Sequence, residues 1–172
     1  MIGGVTLGSF GTPAINNSGT VAFTGLGVFT LRPTALLAKQ EDIIGGVTLN
    51  TLTVSAINNG GTVAVQSLTG APSGDIYFTL NPTAVVAKPG DTIGGETLTQ
   101  FPTFRGFAIN DSGTMAFFSA FSGGTGIFTK SAVLAKTGDT IGGKTLTDVR
   151  QRGVPALGTP RAGWNHTKFV LH

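Results

Sequence analysis

The chain has 172 residues, of which 11% are charged, 27 are Gly and none is Cys, and it carries a net charge of +3. A disulfide framework and a thiolate metal site are therefore excluded, and a composition rich in Gly, Thr and branched apolar residues favours strands and turns over helices. No apolar run approaches the roughly 18 residues that a membrane-spanning helix needs, and Met1-Ile-Gly-Gly4 lacks the basic and apolar regions of a signal peptide, so the chain reads as soluble and either mature or truncated.

In chain order, the first recurrent signal is a Gly-Gly pair beginning at Gly3, Gly45, Gly94 and Gly142, a period of 42, 49 and 48 residues. Periods of this length indicate propeller blades or solenoid coils. Each pair leads into an alternating run, Val5-Thr-Leu7, Val47-Thr-Leu49, Glu96-Thr-Leu98 and Lys144-Thr-Leu146, which predicts the first strand of each unit.

The stretch Ala14-Ile-Asn-Asn-Ser-Gly-Thr-Val-Ala-Phe23 follows. It returns as Ala56-Ile-Asn-Asn-Gly-Gly-Thr-Val-Ala-Val65 and as Ala108-Ile-Asn-Asp-Ser-Gly-Thr-Met-Ala-Phe117. An Asn side chain can bond its own backbone two residues on, and a Gly three places later tolerates positive φ, so Asn16 with Gly19, Asn58 with Gly61 and Asn110 with Gly113 are expected to make turns rather than bind ligands. A second strand is predicted at Thr20–Thr24, Thr62–Gln66 and Thr114–Phe118, with bulk on one face and a small Ala on the other, which implies packed sheets.

After a Gly- and Ser-rich loop of variable length, the third strand is expected at Gly27–Leu31, Asp75–Leu80 and Gly126–Thr129. The fourth is Ala35–Lys39, Ala84–Lys88 and Ala132–Lys136, apolar enough to predict burial on both faces. Arg32-Pro-Thr34 and Asn81-Pro-Thr83 introduce it in two units, where Pro sacrifices no ladder bond.

The fold expected is all-β, a propeller-like array of about three and a half four-stranded units in one domain: residues 2–43, 44–92, 93–141 and a partial unit 142–172. A β-sandwich or a β-solenoid is the alternative. The partial unit keeps Lys144-Thr-Leu146, and Lys168–Leu171 is its last predicted strand. It also holds the positive charge: five Lys and Arg stand against Asp148 alone from residue 144 onward, and the remainder of the chain is net negative by one. Arg150, Arg152, Arg161, Trp164, Lys168 and Phe169 therefore form a candidate assembly segment, by which an incomplete unit would join another copy at an open sheet edge.

The units match the spacing Asn-x-x-Gly-x-x-Ala-Phe in full at Asn16, Gly19, Ala22, Phe23 and at Asn110, Gly113, Ala116, Phe117, and in the second unit with Val65 for Phe. With the turn Ala-Lys-x-Gly-Asp-x-Ile-Gly-Gly, this resembles the NxxGxxAF tandem-repeat proteins of bacteria over residues 2–148. The resemblance implies a propeller-like repeat protein exported to the cell surface or beyond, and it says little about activity.

Chemistry is sparse. Asp42, Asp91 and Asp139 recur at equivalent turns, but the spacing of a calcium loop is absent and each lies three residues after a Lys, which favours backbone capping over a metal. His166 and His172 have no nearby acids, and no nucleophile elbow or phosphate loop occurs. The sequence thus leads to a non-enzymatic structural repeat protein that partners itself, with no cofactor and no metal. A carbohydrate-binding module with a glycan or cell-surface partner is the alternative, although Trp164 and Tyr77 are few aromatic platforms for one. Nucleic-acid binding is disfavoured because basic residues are not interleaved with stacking groups.

Overall fold

The computed structural model describes residues 1–5, 7–8, 10–68, 75–102, 107–150 and 170–171, the last two and residue 150 as backbone only. Among them the chain is all-β, without a helix. The first unit contains β1 (Ala14–Ile15), β2 (Val21–Thr24), β3 (Gly27–Leu31) and β4 (Ala35–Lys39), an antiparallel sheet in sequential order. The second begins with β5 (Ile43–Ile44) and β6 (Val47–Thr48), a small hairpin, followed by β7 (Thr51–Ile57), β8 (Val63–Leu68), β9 (Ile76–Leu80) and β10 (Ala84–Ala87), again sequential and antiparallel. In the third, β11 (Thr92–Ile93) and β12 (Glu96–Gln100) join β14 (Met115–Phe121), β15 (Gly124–Phe128) and β16 (Val133–Lys136) in one sheet, with β13 (Ala108–Ile109) also on β14. Beyond it lie the hairpin of β17 (Thr140–Ile141) with β18 (Lys144–Thr145), and β19 (Val149–Arg150), whose partner is β20 (Val170–Leu171).

The Gly-Gly pairs make two-residue hairpin turns. Both glycines of each have positive φ, 60° and 77° at Gly45 and Gly46, the pattern that a two-residue hairpin loop demands and that a Cβ would resist. The run after each pair is accordingly one arm of this hairpin, with Ile43 opposite Thr48 and Ile44 opposite Val47. In the first two units it is not the first strand of the main sheet, contrary to the sequence expectation. That place belongs to the strand entering the Asn turn, β1 or β7, whose alternating Leu52, Val54 and Ile57 are buried.

The fourth strand also differs from expectation. It is a sheet edge in each unit, not an interior strand, and Leu134 within β16 is 57% exposed. The continuous burial falls instead on the middle strands, since every residue of β8 and β9 is buried. An apolar run is buried on both faces only where other layers cover both faces of its sheet, and the outermost strand is the one least covered. A bulge interrupts the pairing of the last two strands in every unit, between Val28 and Phe29, Val85 and Ala87, and Ile127 and Phe128, which twists the edge locally.

The sheets pack face to face through the bulk-and-Ala alternation. Ala22, Val28 and Ala38 of the first unit meet Leu49, Leu52, Val54 and Ile57 of the second in one cluster. Ala64, Tyr77 and Ala87 of the second meet Phe101, Phe107 and Phe117 of the third in another. Phe118 and Ala135 of the third are covered by Leu146 and Val149. Each unit thus presents bulky residues on its leading face, and they fill the trailing face of its predecessor, where small residues recur (Ala22 and Ala38, Ala64 and Ala87, Ala135) beside larger ones such as Val28, Tyr77 and Phe118. Burying such a side chain is worth about 1.5–3 kcal/mol relative to leaving it in water, so these joints hold the array together.

Candidate functional site

The feature that recurs with defined polar geometry is the row of Asn turns along one side of the stacked units. At each turn the Asn side-chain oxygen accepts the backbone N–H four residues on: Thr20 to Asn16 at 2.9 Å, Thr62 to Asn58 at 2.8 Å and Thr114 to Asn110 at 2.8 Å. The hydroxyls of Ser18 and Ser112 donate to the same oxygen of Asn16 and Asn110. The reach is to the fourth residue, not the second, because the turn is closed by Gly19, Gly61 and Gly113 at φ of 80°, 83° and 83°, each of which donates its N–H to the Asn carbonyl.

At Asn16 and Asn58 the other half of the amide leaves its own unit. Asn16 Nδ2 donates to the carbonyl of Asn58 at 3.0 Å, and Asn58 Nδ2 donates to the carbonyl of Asn110 at 3.0 Å. Beside this ladder runs a second one: the N–H of Asn17 donates to Asn59 Oδ1 at 3.1 Å, and the N–H of Asn59 to Asp111 Oδ1 at 3.0 Å. Asn59 Nδ2 adds a bond to Asp111 Oδ2 at 2.9 Å. Those donations, from the Asn59 backbone first and its side chain second, hold the Asp111 carboxyl below its ordinary value. Asn16 and Asn58 are therefore turn-makers and inter-unit couplers at once, while Asn110 makes its turn and receives the last bond at its carbonyl. Sequence reasoning assigned the first role and missed the second, although an amide has a donor left over once its oxygen has capped the turn.

The ladder is directional. Earlier units donate and later units accept, which leaves Asn110 Nδ2 and the Asp111 N–H at one end, and the Asn16 carbonyl and Asn17 Oδ1 at the other, without a partner unit among the described residues.

The recurrent acids are caps. Asp42, Asp91 and Asp139 accept the N–H of Lys39, Lys88 and Lys136 at 2.8, 2.9 and 2.8 Å. Asp42 is further paired with the Lys39 ammonium, whose hydrogen bond lowers its carboxyl and raises the lysine. Lys136 instead crosses to Glu96 and is raised by it. Among the described residues no three His, Asp or Glu side chains converge as a metal site would require.

An open pocket of about 360 Å³ is lined by Gln40, Glu41, Thr48, Leu49 and Asn50. Within the joint of the second and third units, the cross-strand neighbours Gln66 and Tyr77 are fully buried, yet Gln66 Oε1 and the Tyr77 hydroxyl have no partner among the described residues. Burial pushes the Tyr77 phenol well above its usual range, and its ring lies 4.5 Å from Phe101 and 5.0 Å from Phe117. Tyr77 is thus a core residue and offers no platform for a sugar.

Of the candidate assembly segment, the backbone of Arg150 pairs with that of Val170. Arg152, Arg161, Trp164, Lys168 and Phe169, with His166 and His172, lie outside the described residues. Compared with protein-family models, curated proteins and solved structures, the chain matches none.

Proposed function

We propose that this chain is a non-enzymatic structural repeat protein, propeller-like in build, that assembles with further copies of itself on or outside the cell. The observation that carries this reading is the directional Asn ladder, in which the same amide closes a turn within one unit and reaches into the next. A device of that kind specifies how one unit sits on another. It involves no nucleophile, acid–base pair or ligand cradle.

Supporting the propeller-like build are the antiparallel sheets of the three units, two of them four-stranded and sequential, packed face to face in series. The resemblance of Asn-x-x-Gly-x-x-Ala-Phe to the bacterial tandem-repeat proteins supports the location.

Multi-angle light scattering of the purified chain, with negative-stain electron microscopy of the same samples, tests the proposal. Species of several chains, growing with concentration into rings or filaments, are expected. A single-chain mass retained at high concentration would sink it.

A further inference from the structure

We infer that the open hollow beside the turn at residues 39–42 binds a neutral or amino saccharide, its hydroxyls held by Gln40, Glu41, Thr48 and Asn50. This adds a ligand to the structural reading above and does not rest on self-assembly. The volume of about 360 Å³ falls within the range of small-molecule sites, about 300–1,000 Å³.

The same turn occurs three times, as Lys39-Gln-Glu-Asp42, Lys88-Pro-Gly-Asp91 and Lys136-Thr-Gly-Asp139, and each leads into a Gly-Gly hairpin and a Thr-Leu pair. In all three the Asp accepts the N–H of the Lys, so the backbone frame is shared. What the first turn changes is the lining of the hollow. Glu41 stands where the others have Gly90 and Gly138, Gln40 where they have Pro89 and Thr137, and Asn50 where they have Thr99 and Thr147. Three of the five lining residues thus depart from the repeat, and each departure supplies a carboxylate or a carboxamide.

These departures are not what the turn asks for. Glu41 has φ of 73°, a region that a Cβ resists and that its counterparts meet with glycine. A residue held against its backbone preference points to a role outside the fold. Packing supplies no such role, since Gln40 is only half-buried and Glu41 and Asn50 are exposed. Nor does internal bonding: among the described residues the side chains of Gln40, Glu41, Thr48 and Asn50 make no hydrogen bond, and Asn50 uses only its backbone N–H, on Ser67. The Thr48 hydroxyl is freed by one more change. Its counterpart Thr97 bonds the hydroxyl of Thr92 across the hairpin at 3.3 Å, whereas the residue opposite Thr48 is Ile43.

Two carboxamides, a hydroxyl and a carboxylate set donors and acceptors side by side. Sugar hydroxyls also donate and accept, and a vicinal pair of them matches the edge of a carboxylate or a carboxamide. A hard cation is matched less well, because it takes about six to eight oxygens. Here Glu41 is the single carboxylate of the lining, and neighbouring Asp42 is spent on Lys39. The Glu41 charge also opposes an anionic sugar. No aromatic ring lines the hollow, so binding rests on hydrogen bonds and is expected at dissociation constants of about 1 mM.

Saturation-transfer NMR of the full chain tests the site. The probes are the methyl glycosides of glucose, galactose, mannose, N-acetylglucosamine, N-acetylgalactosamine and glucosamine, each at about 10 mM, an excess over that dissociation constant. Transfer to at least one is expected. Gln40→Pro with Glu41→Gly and Asn50→Thr writes into this turn the residues that the chain already folds at Pro89, Gly90 and Thr99. It should keep the parental circular-dichroism spectrum and lose about tenfold or more in affinity, the worth of one or two hydrogen bonds. Asn50→Thr alone, at an exposed position, should weaken binding in the same direction. No transfer to any of these glycosides, or equal affinity in parent and variants, overturns the site. Transfer abolished by a calcium chelator would assign the hollow to a cation and overturn it as well. Light scattering of the same samples reads self-assembly separately, so either proposal can fall while the other stands.

Discussion

The joint between the first and second units and the joint between the second and third use the same polar coupling around very different fillings. The first is mostly aliphatic, with Val28, Leu52, Val54, Ile57, Val63, Val65 and Ile76 around a single ring, Phe78. The second is aromatic, Tyr77 lying against Phe101, Phe107 and Phe117, and it holds Gln66 Oε1 and the Tyr77 hydroxyl, buried without partners among the described residues. Yet the Asn amide reaches the next carbonyl at 3.0 Å in both. The difference teaches that the ladder sets how units sit on one another while the filling between them is free to vary around the recurrent small residues Ala22 and Ala64.

Removing the coupling gives the largest expected effect. Asn16→Ala and Asn58→Ala each delete a buried cap and an inter-unit donor, and should lower stability by about 2–3 kcal/mol each. Urea unfolding of the two variants should give similar losses despite the different fillings. A loss that tracked the filling instead would break the comparison.

Next comes the small face. Ala22 and Ala64 are fully buried at equivalent places in the two joints, so Leu at either should overpack and destabilise by about 1–3 kcal/mol. Chemical denaturation midpoints would check this.

Sharper still is Tyr77→Phe, which removes a buried hydroxyl without a partner and should leave stability unchanged or raise it by up to about 1 kcal/mol. No counterpart exists in the first joint, where Val28 takes the same place before the shared Phe. Glu41→Gly should raise the thermal midpoint modestly. Glu41 holds φ of 73° where the other units have Gly90 and Gly138 at 92° and 95°, and glycine relieves that conformation while adding unfolded-state entropy that offsets part of the gain.

The smallest effect is a pH response confined to the second joint. Asp111 has its folded-state carboxyl lowered by Asn59, so its contribution is present above the ordinary Asp value of about 3.9 and is lost as pH falls through the depressed value. The first joint has neutral Asn59 in that place and no such response. Thermal unfolding of the parent and of Asp111→Asn between neutral and acid pH should differ only in the acid arm, with the variant the flatter of the two.

Much of the fold was legible because repetition exposed it. The Gly-Gly pairs, the Asn turns and the alternation at Val21-Ala-Phe23 follow from backbone sterics and period-two burial, which are local. What escaped was non-local. Whether Ala35–Lys39 is an edge or an interior strand depends on neighbours that the run itself cannot name. The strand Thr51–Ile57 does alternate Thr and Ser with apolar residues, but it lies between two stronger repeat signals, the Gly-Gly hairpin and the Asn turn, and its alternation is not repeated at the same place in the first unit, Gly8-Ser-Phe-Gly-Thr-Pro13. The ladder was hidden because the amide of Asn16 finds its acceptor 42 residues away, and nothing local distinguishes a turn-making Asn from one that also couples units.

The most direct test of the ladder compares Asn58→Asp with Asn110→Asp at dilution, by urea unfolding. Both substitutions keep the oxygen that caps the turn and delete the amide donor. Asn58 has an acceptor in the next unit and is buried, whereas Asn110 is exposed and has none among the described residues. A ladder-joined array predicts a loss of about 2–4 kcal/mol at Asn58, where a carboxylate would face the Asn110 carbonyl. At Asn110 it predicts a change within about 0.5 kcal/mol. Equal and small effects at the two positions would contradict the ladder and leave these Asn residues as makers of turns alone.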